Sequence, residues 1–120
     1  MMIDGNYFRT DEVQGEEVLL DLRVVDLLGF HKGVDRKVID SMLESITNNF
    51  VFPPVKVVQV REKLYTLAFL INPEDGKPDG GHHRAYAHYC ANKPLRCEIV
   101  PEMHRASHAV IPIQEITYRN

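Results

Sequence analysis

From Val18 the run VLLDLRVVDLL sets Leu20, Leu22 and Val24 against Asp21 and Arg23. A period of two is the pattern of a half-buried strand, and one strand is expected here. A two-glycine loop, GFHKGVD, follows. In VDRKVIDSMLESITNNF the period changes: Val34, Val38, Ile39, Met42, Leu43 and Ile46 recur at helical spacing, with the charges on the other face. Asn48 and Asn49 suit its end, because Asn tolerates the left-handed conformation of a helix C-terminus. Pro53-Pro54 then enforces an extended entry into VKVVQVR, and KLYTLAFLI is expected to pair with it as a hairpin.

NPEDGKPDGG has the composition of a surface loop. HHRAYAHYCAN predicts a short helix through Ala85, Ala87 and Ala91, stopped by Lys93-Pro94, and LRCEIV predicts one more strand. In the tail a helical turn is expected near Met103–His108 and a terminal strand around Val110–Tyr118. Strands and helices mix without regular βαβ alternation, which predicts an α+β domain with a mixed sheet and few helices. Residues 1–16 are polar and read as a loosely attached N-terminal segment. Residues 17–120 read as a single domain.

The chain has 120 residues, enough for one core and little more. No apolar run approaches the roughly 18–20 residues of a membrane-spanning helix, and the acidic start does not read as a secretory signal, so a cytoplasmic, non-membrane protein is expected. Cys90 and Cys97 lack zinc spacing and read as buried free thiols. Fourteen Lys and Arg face seventeen Asp and Glu, a net charge of −3. Without a basic stripe, direct nucleic-acid binding is disfavoured. One local site for a phosphorylated ligand is not.

Such a site is suggested at Asp79-Gly80-Gly81-His82-His83-Arg84, where two glycines lead into a helix whose first turn carries a basic cluster. Cations there oppose the helix dipole unless an anion arrives. Gly80 and Gly81 let backbone N–H groups converge on one, Arg84 offers a forked donor, and the imidazoles of His82 and His83 offer more. This predicts a phosphate or carboxylate site; a glycine turn with solvated basic residues is the simpler alternative.

The element order and the Asp-Gly-Gly-His-His-Arg box opening a helix resemble the ParB/sulfiredoxin superfamily, over about Val18 to Val100. The resemblance implies a nucleotide site for ATP or CTP, with Gly81, His83 and Arg84 on the phosphates and His82 in the variable slot. Sulfiredoxins hold their catalytic cysteine in that slot, so sulfinic-acid repair is not expected here. The helix-turn-helix of partitioning proteins is not seen either. A third branch phosphorylates free serine with an acidic base in the loop after the first strand; here that loop holds His31 and Asp35 but no glutamate. His31 and His82 are therefore the candidate catalytic residues, His31 as a base titrating near neutrality. Gly80, Gly81, His82, His83 and Arg84 are the candidate nucleotide binders.

Glu74, Asp75 and Asp79 crowd the preceding loop, and Asp79 is the candidate ligand for nucleotide-bound Mg²⁺. The expected function is nucleotide binding, with phosphotransferase or NTPase activity on a small hydroxyl substrate. The alternative is a non-catalytic adaptor or a plasmid- or phage-type accessory protein, DNA-associated or nuclease roles included. His104 and His108 share the i, i+4 spacing of a metal pair but lack a third ligand, and read as structural. Tyr86 and Tyr89 read as core tyrosines with a wet hydroxyl.

Overall fold

The strand expected from Val18 onwards breaks in two: β1 (Glu16–Leu20) and β2 (Asp26–Gly29). The break is Asp21. Its carboxylate accepts from the Arg23 N–H at 3.0 Å and its carbonyl from the N–H groups of Val24 and Val25, an Asx turn that ends the ladder. Leu22 stays buried inside the turn, whereas Val24 is exposed. The computed structural model describes residues 8–78 and 80–119.

Beyond β2 come β3 (Gly33–Asp35), α1 (Arg36–Thr47), β4 (Val55–Arg61), β5 (Leu64–Leu67), α2 (His82–Ala91), β6 (Leu95–Ile99), β7 (Ile111–Pro112) and β8 (Thr117–Arg119). Val34 thus belongs to a strand, and α1 starts later than its apolar period suggests. Asp35 is its N-cap and accepts from the Lys37 N–H at 2.8 Å. Asn49, at φ 64°, closes α1 in a Schellman arrangement: the Phe50 N–H donates to Ser45 and the Asn49 N–H to Ile46.

The main sheet has the order β1-β6-β4-β5-β2-β7, and β3 pairs in parallel with β8 in a separate ribbon. The β4–β5 hairpin forms as expected, turning at Lys63 (φ 64°) with a register shift between Gln59 and Arg61. The terminal strand does not run from Val110 to Tyr118. A 3₁₀ turn at Ile113–Glu115 divides it, sending β7 to β2 and β8 to β3. Among the described residues the fold is therefore α+β, with a mixed sheet and two α-helices, at a radius of gyration of 13.6 Å.

Both helices cover one face of the sheet. Ile39 and Ile46 of α1 and Ala85 and Ala87 of α2 pack with Val55, Val57, Leu67, Leu95 and Cys97. Val58 alternates to the other face, where Val13, Ala68, Leu70 and Val100 form a smaller cluster. That cluster explains why the described part of the N-terminal segment is not loose. Thr10 N–H donates to the Ile71 carbonyl at 2.8 Å, Ile71 N–H to Phe8 at 2.9 Å, and Lys56 Nζ to the carbonyls of Thr10 and Val13. Residues 1–7 lie outside the described residues.

Of the two thiols only Cys97 is buried, and burial pushes it up to about 12; Cys90 is exposed. No helix among the described residues is long and apolar enough to cross a membrane. Leu67 is fully buried and Leu19 is 65% exposed. Leu67→Ala is expected to lower unfolding free energy by about 2–5 kcal/mol and Leu19→Ala by less than about 0.5 kcal/mol, read from urea midpoints. Equal losses would show that the core is misassigned.

Candidate functional site

Helix α2 begins at Gly81, whose φ of 83° lies in the left-handed region. Space also demands glycine there: a Cβ would lie 2.8 Å from Val55 Cγ1. Gly81, as the N-cap, has no side chain to cap this end, and the N–H groups of a first turn have no acceptor within the helix. They open onto a cavity of about 380 Å³. Gly80, Gly81, His82, His83 and Arg84 line one side of it, His31 stands on another, and Val38 and Met42 of α1 form an apolar wall. The fold thus brings together His31 and the whole glycine–histidine–arginine box. Asp79 lies outside the described residues. Among those described, no group of three or more His, Cys, Asp or Glu side chains could hold a metal.

His82 does not reach out as a ligand group. It is 3% exposed, and its Nε2 accepts from the Phe30 N–H at 3.0 Å, so its proton sits on Nδ1. The ring fills a slot between two glycines: a Cβ on Gly29 would lie 2.7 Å from its Cδ2, and one on Gly80 would lie 3.0 Å from its Cε1. Phe30 meets it edge-on at 4.5 Å, and His31 stacks on it at 3.7 Å with 27° between the planes. Desolvation first, then the neighbouring imidazoles of His31 and His83, lower its pKa to about 3. At neutral pH it is an uncharged wedge joining the loop after β2 to the start of α2.

His83 behaves similarly one position on. Its Nε2 accepts from the Asp35 N–H at 3.0 Å, tying α2 to the N-cap of α1. Burial and then the Arg119 guanidinium lower its pKa, and the Asp35 carboxylate opposes them. Its remaining ring nitrogen carries the proton and is a donor. His31, exposed at the cavity's edge, is also shifted down, by desolvation and then by Arg119. The sequence-level picture of a cationic His-His-Arg cluster is therefore corrected: the imidazoles are neutral, and the positive charge here is guanidinium.

Arg84 is built into the fold rather than simply solvated. Its Nη1 donates to the carbonyls of Pro53 at 2.9 Å and Pro54 at 3.2 Å, fixing α2 against the entry to β4. It lies between the 380 Å³ cavity and another of about 540 Å³ that includes Lys56, Glu74 and Glu98. Residue types along the chain do not reveal Arg119. It reaches the site because β8 pairs with β3, its Nη1 donating to the Gly33 carbonyl at 3.3 Å. Nor do they reveal the backbone N–H groups of Phe30 and Asp35, whose role depends on tertiary approach.

His104 and His108 do not share a helical face: the 3₁₀ turn Glu102–His104 ends before His108, and His104 is buried while His108 is exposed. Tyr86 packs edge-on against Tyr118 at 5.9 Å, and Arg23 lies 4.6 Å above the Tyr89 ring, as core-edge tyrosines would. In the acidic loop, Asn72 and Asp75 cap the N–H groups of Glu74 and Lys77 as Asx turns.

No family model, curated protein or solved structure matches this chain.

Two predictions test the wedge. Gly29 does not have a positive φ, so alanine there would ordinarily be tolerated or mildly stabilising; the ring contact reverses the sign. Gly29→Ala should cost about 1–3 kcal/mol, and the double variant with His82→Ala should recover part of that as a coupling energy of at least about 0.5 kcal/mol. Additive losses would remove the steric argument. The second is a pH dependence. His82 takes up its proton near 3 when folded and near its ordinary 6.5 when unfolded, so between those values the unfolded chain binds the extra proton. Its stabilising contribution is complete above 6.5 and falls away towards 3, with a slope approaching about 1.4 kcal/mol per pH unit. His31 and His83 act in the same direction. In His82→Gln, which keeps an acceptor near the Nε2 position, stability measured from pH 4.5 to 6.5 should flatten by about that slope; an unchanged profile would contradict the assignment.

Proposed function

We propose that the protein binds a nucleoside triphosphate, ATP or CTP, with its phosphates at the N-terminus of α2. The observation that carries this is the helix start at a glycine N-cap, Gly81, which lines a cavity together with donor groups and apolar side chains. The first-turn N–H groups and the protonated ring nitrogen of His83 supply directional donors, and Arg84 supplies formal charge. Val38 and Met42 offer the apolar surface on which a base can lie. His82 is a positioning residue that shapes the cradle. Mg²⁺ would be held chiefly by the phosphates, with Asp79 as the proposed protein ligand.

The same features support a ParB/sulfiredoxin-like fold as the finer reading of the domain, and a phosphotransferase or NTPase acting on a small hydroxyl compound as the activity. His31, neutral at physiological pH and lining the cavity, suits proton abstraction from such a hydroxyl.

Thermal denaturation with ATP, CTP and ADP, each with and without Mg²⁺, is the test. A nucleotide at 100 times its Kd should add about 2.7 kcal/mol of apparent stability. Arg84→Ala should weaken that nucleotide at least about tenfold while itself costing about 1–2 kcal/mol of stability, because two backbone carbonyls lose their donor. Arg105→Ala, an exposed arginine paired with Glu102, should leave binding unchanged. No stabilisation by any nucleotide would overturn the proposal and favour a non-catalytic adaptor.

A further inference from the structure

We infer that His31 is a covalent phosphoryl acceptor, forming a phosphohistidine from a nucleoside triphosphate bound in the same cavity. The inference rests on the nucleotide reading above and goes beyond it, giving His31 the role of nucleophile in place of general base in the first transfer. Three imidazoles line the cavity, and two have their Nε2 lone pairs committed: His82 to the Phe30 N–H and His83 to the Asp35 N–H, each at 3.0 Å. His31 is the exposed one. Among the described residues lining the cavity there is no carboxylate, hydroxyl or thiol to compete as nucleophile.

The ring is also held in place, one face against His82 at 3.7 Å and its edge towards Phe30 at 6.0 Å. A nucleophile fixed beside a phosphate cradle gains the advantage of an intramolecular encounter. Burial and Arg119 lower the pKa of His31 against an opposing hydrogen bond to the Gly33 backbone, so at neutral pH the ring is unprotonated, with one nitrogen engaged with Gly33 and the other keeping its lone pair. The charge of Arg119 disfavours an imidazolium and, for the same reason, favours the anionic phosphoimidazole that replaces it.

In the step, that nitrogen attacks the γ-phosphorus. The N–P bond forms as the P–O bond to the β-phosphate breaks, and the nucleoside diphosphate leaves with the electron pair. The proton on the other ring nitrogen passes to water. A hydroxyl compound or water can then take the phosphoryl group: its oxygen attacks phosphorus, the P–N bond breaks, and its proton returns to the ring.

Two phosphoryl donors separate this inference from the nucleotide reading. Wild type, His31→Ala and His31→Gln are incubated with MgATP or with phosphoramidate, which needs no nucleotide site. Intact mass and lability of the adduct are then read, and ATP stabilisation is measured alongside. The expected result is one added phosphoryl group on wild type, lost in acid and retained in alkali, and absent from both variants. Label from phosphoramidate at His31 with neither label nor stabilisation from ATP would remove the nucleotide reading and, with it, the nucleoside triphosphate as donor, leaving His31 only as an acceptor of phosphoryl groups from another source. Stabilisation by ATP with no label from either donor would overturn the acceptor and leave that reading standing. An acid-stable adduct, or one that persists in both variants, would also overturn it, and neither binding nor label would end both.

Discussion

One buried imidazole determines how the two halves of the site meet. The His82 ring enters a slot that exists only because Gly29 and Gly80 lack side chains, and it is fixed there by a hydrogen bond from the Phe30 N–H. A planar ring bearing one acceptor satisfies this position in a way an aliphatic group cannot, because an unpaired buried N–H costs about 1–3 kcal/mol. With the ring seated, the end of β2, the loop carrying His31 and the first turn of α2 form one body. Gly81 completes it by turning left-handed against Val55, which aims the helix N-terminus into the cavity rather than into the sheet.

The electrostatics follow from that packing. A His-His-Arg start looks unfavourable at the positive end of a helix dipole. Once the two imidazoles are neutral, most of the conflict disappears, and what remains is Arg84, whose Nη1 lies against the Pro53 and Pro54 carbonyls. The site therefore relies on oriented dipoles more than on stored charge. Dipoles of this kind recognise geometry, and they are less weakened by salt than a cluster of exposed cations would be.

Much of this fold is legible in residue order, because its signals are local. The span of α2, the β4–β5 hairpin, the Asn-mediated end of α1 and the strand at Leu95–Ile99 each follow from periodicity or turn chemistry. The errors share a cause. Asp21 alternates correctly with its neighbours yet turns the chain by bonding its own backbone, which binary pattern does not encode. Val34 fits the apolar stripe of α1, but Asp35 behind it is the better cap. The N-terminal segment looks polar and loose because its anchor, Lys56, is more than forty residues away. The site divides along the same line. The glycines and the box are visible as a contiguous string, whereas the neutrality of its histidines depends on burial and on Arg119, near the other end of the chain.

The condition that keeps His82 in its slot also governs His31. Protonating His82 would place a charge where burial and the neighbouring imidazoles of His31 and His83 already disfavour one, directly beneath a stacked ring. His31, held on that surface, experiences a low-polarity face on one side and a guanidinium nearby, both of which resist its own protonation. Folding and the state of the cavity's imidazole are therefore linked in sign: acidification removes the stability that rests on neutral His82 and also protonates His31, each group over its own range below the ordinary imidazole value.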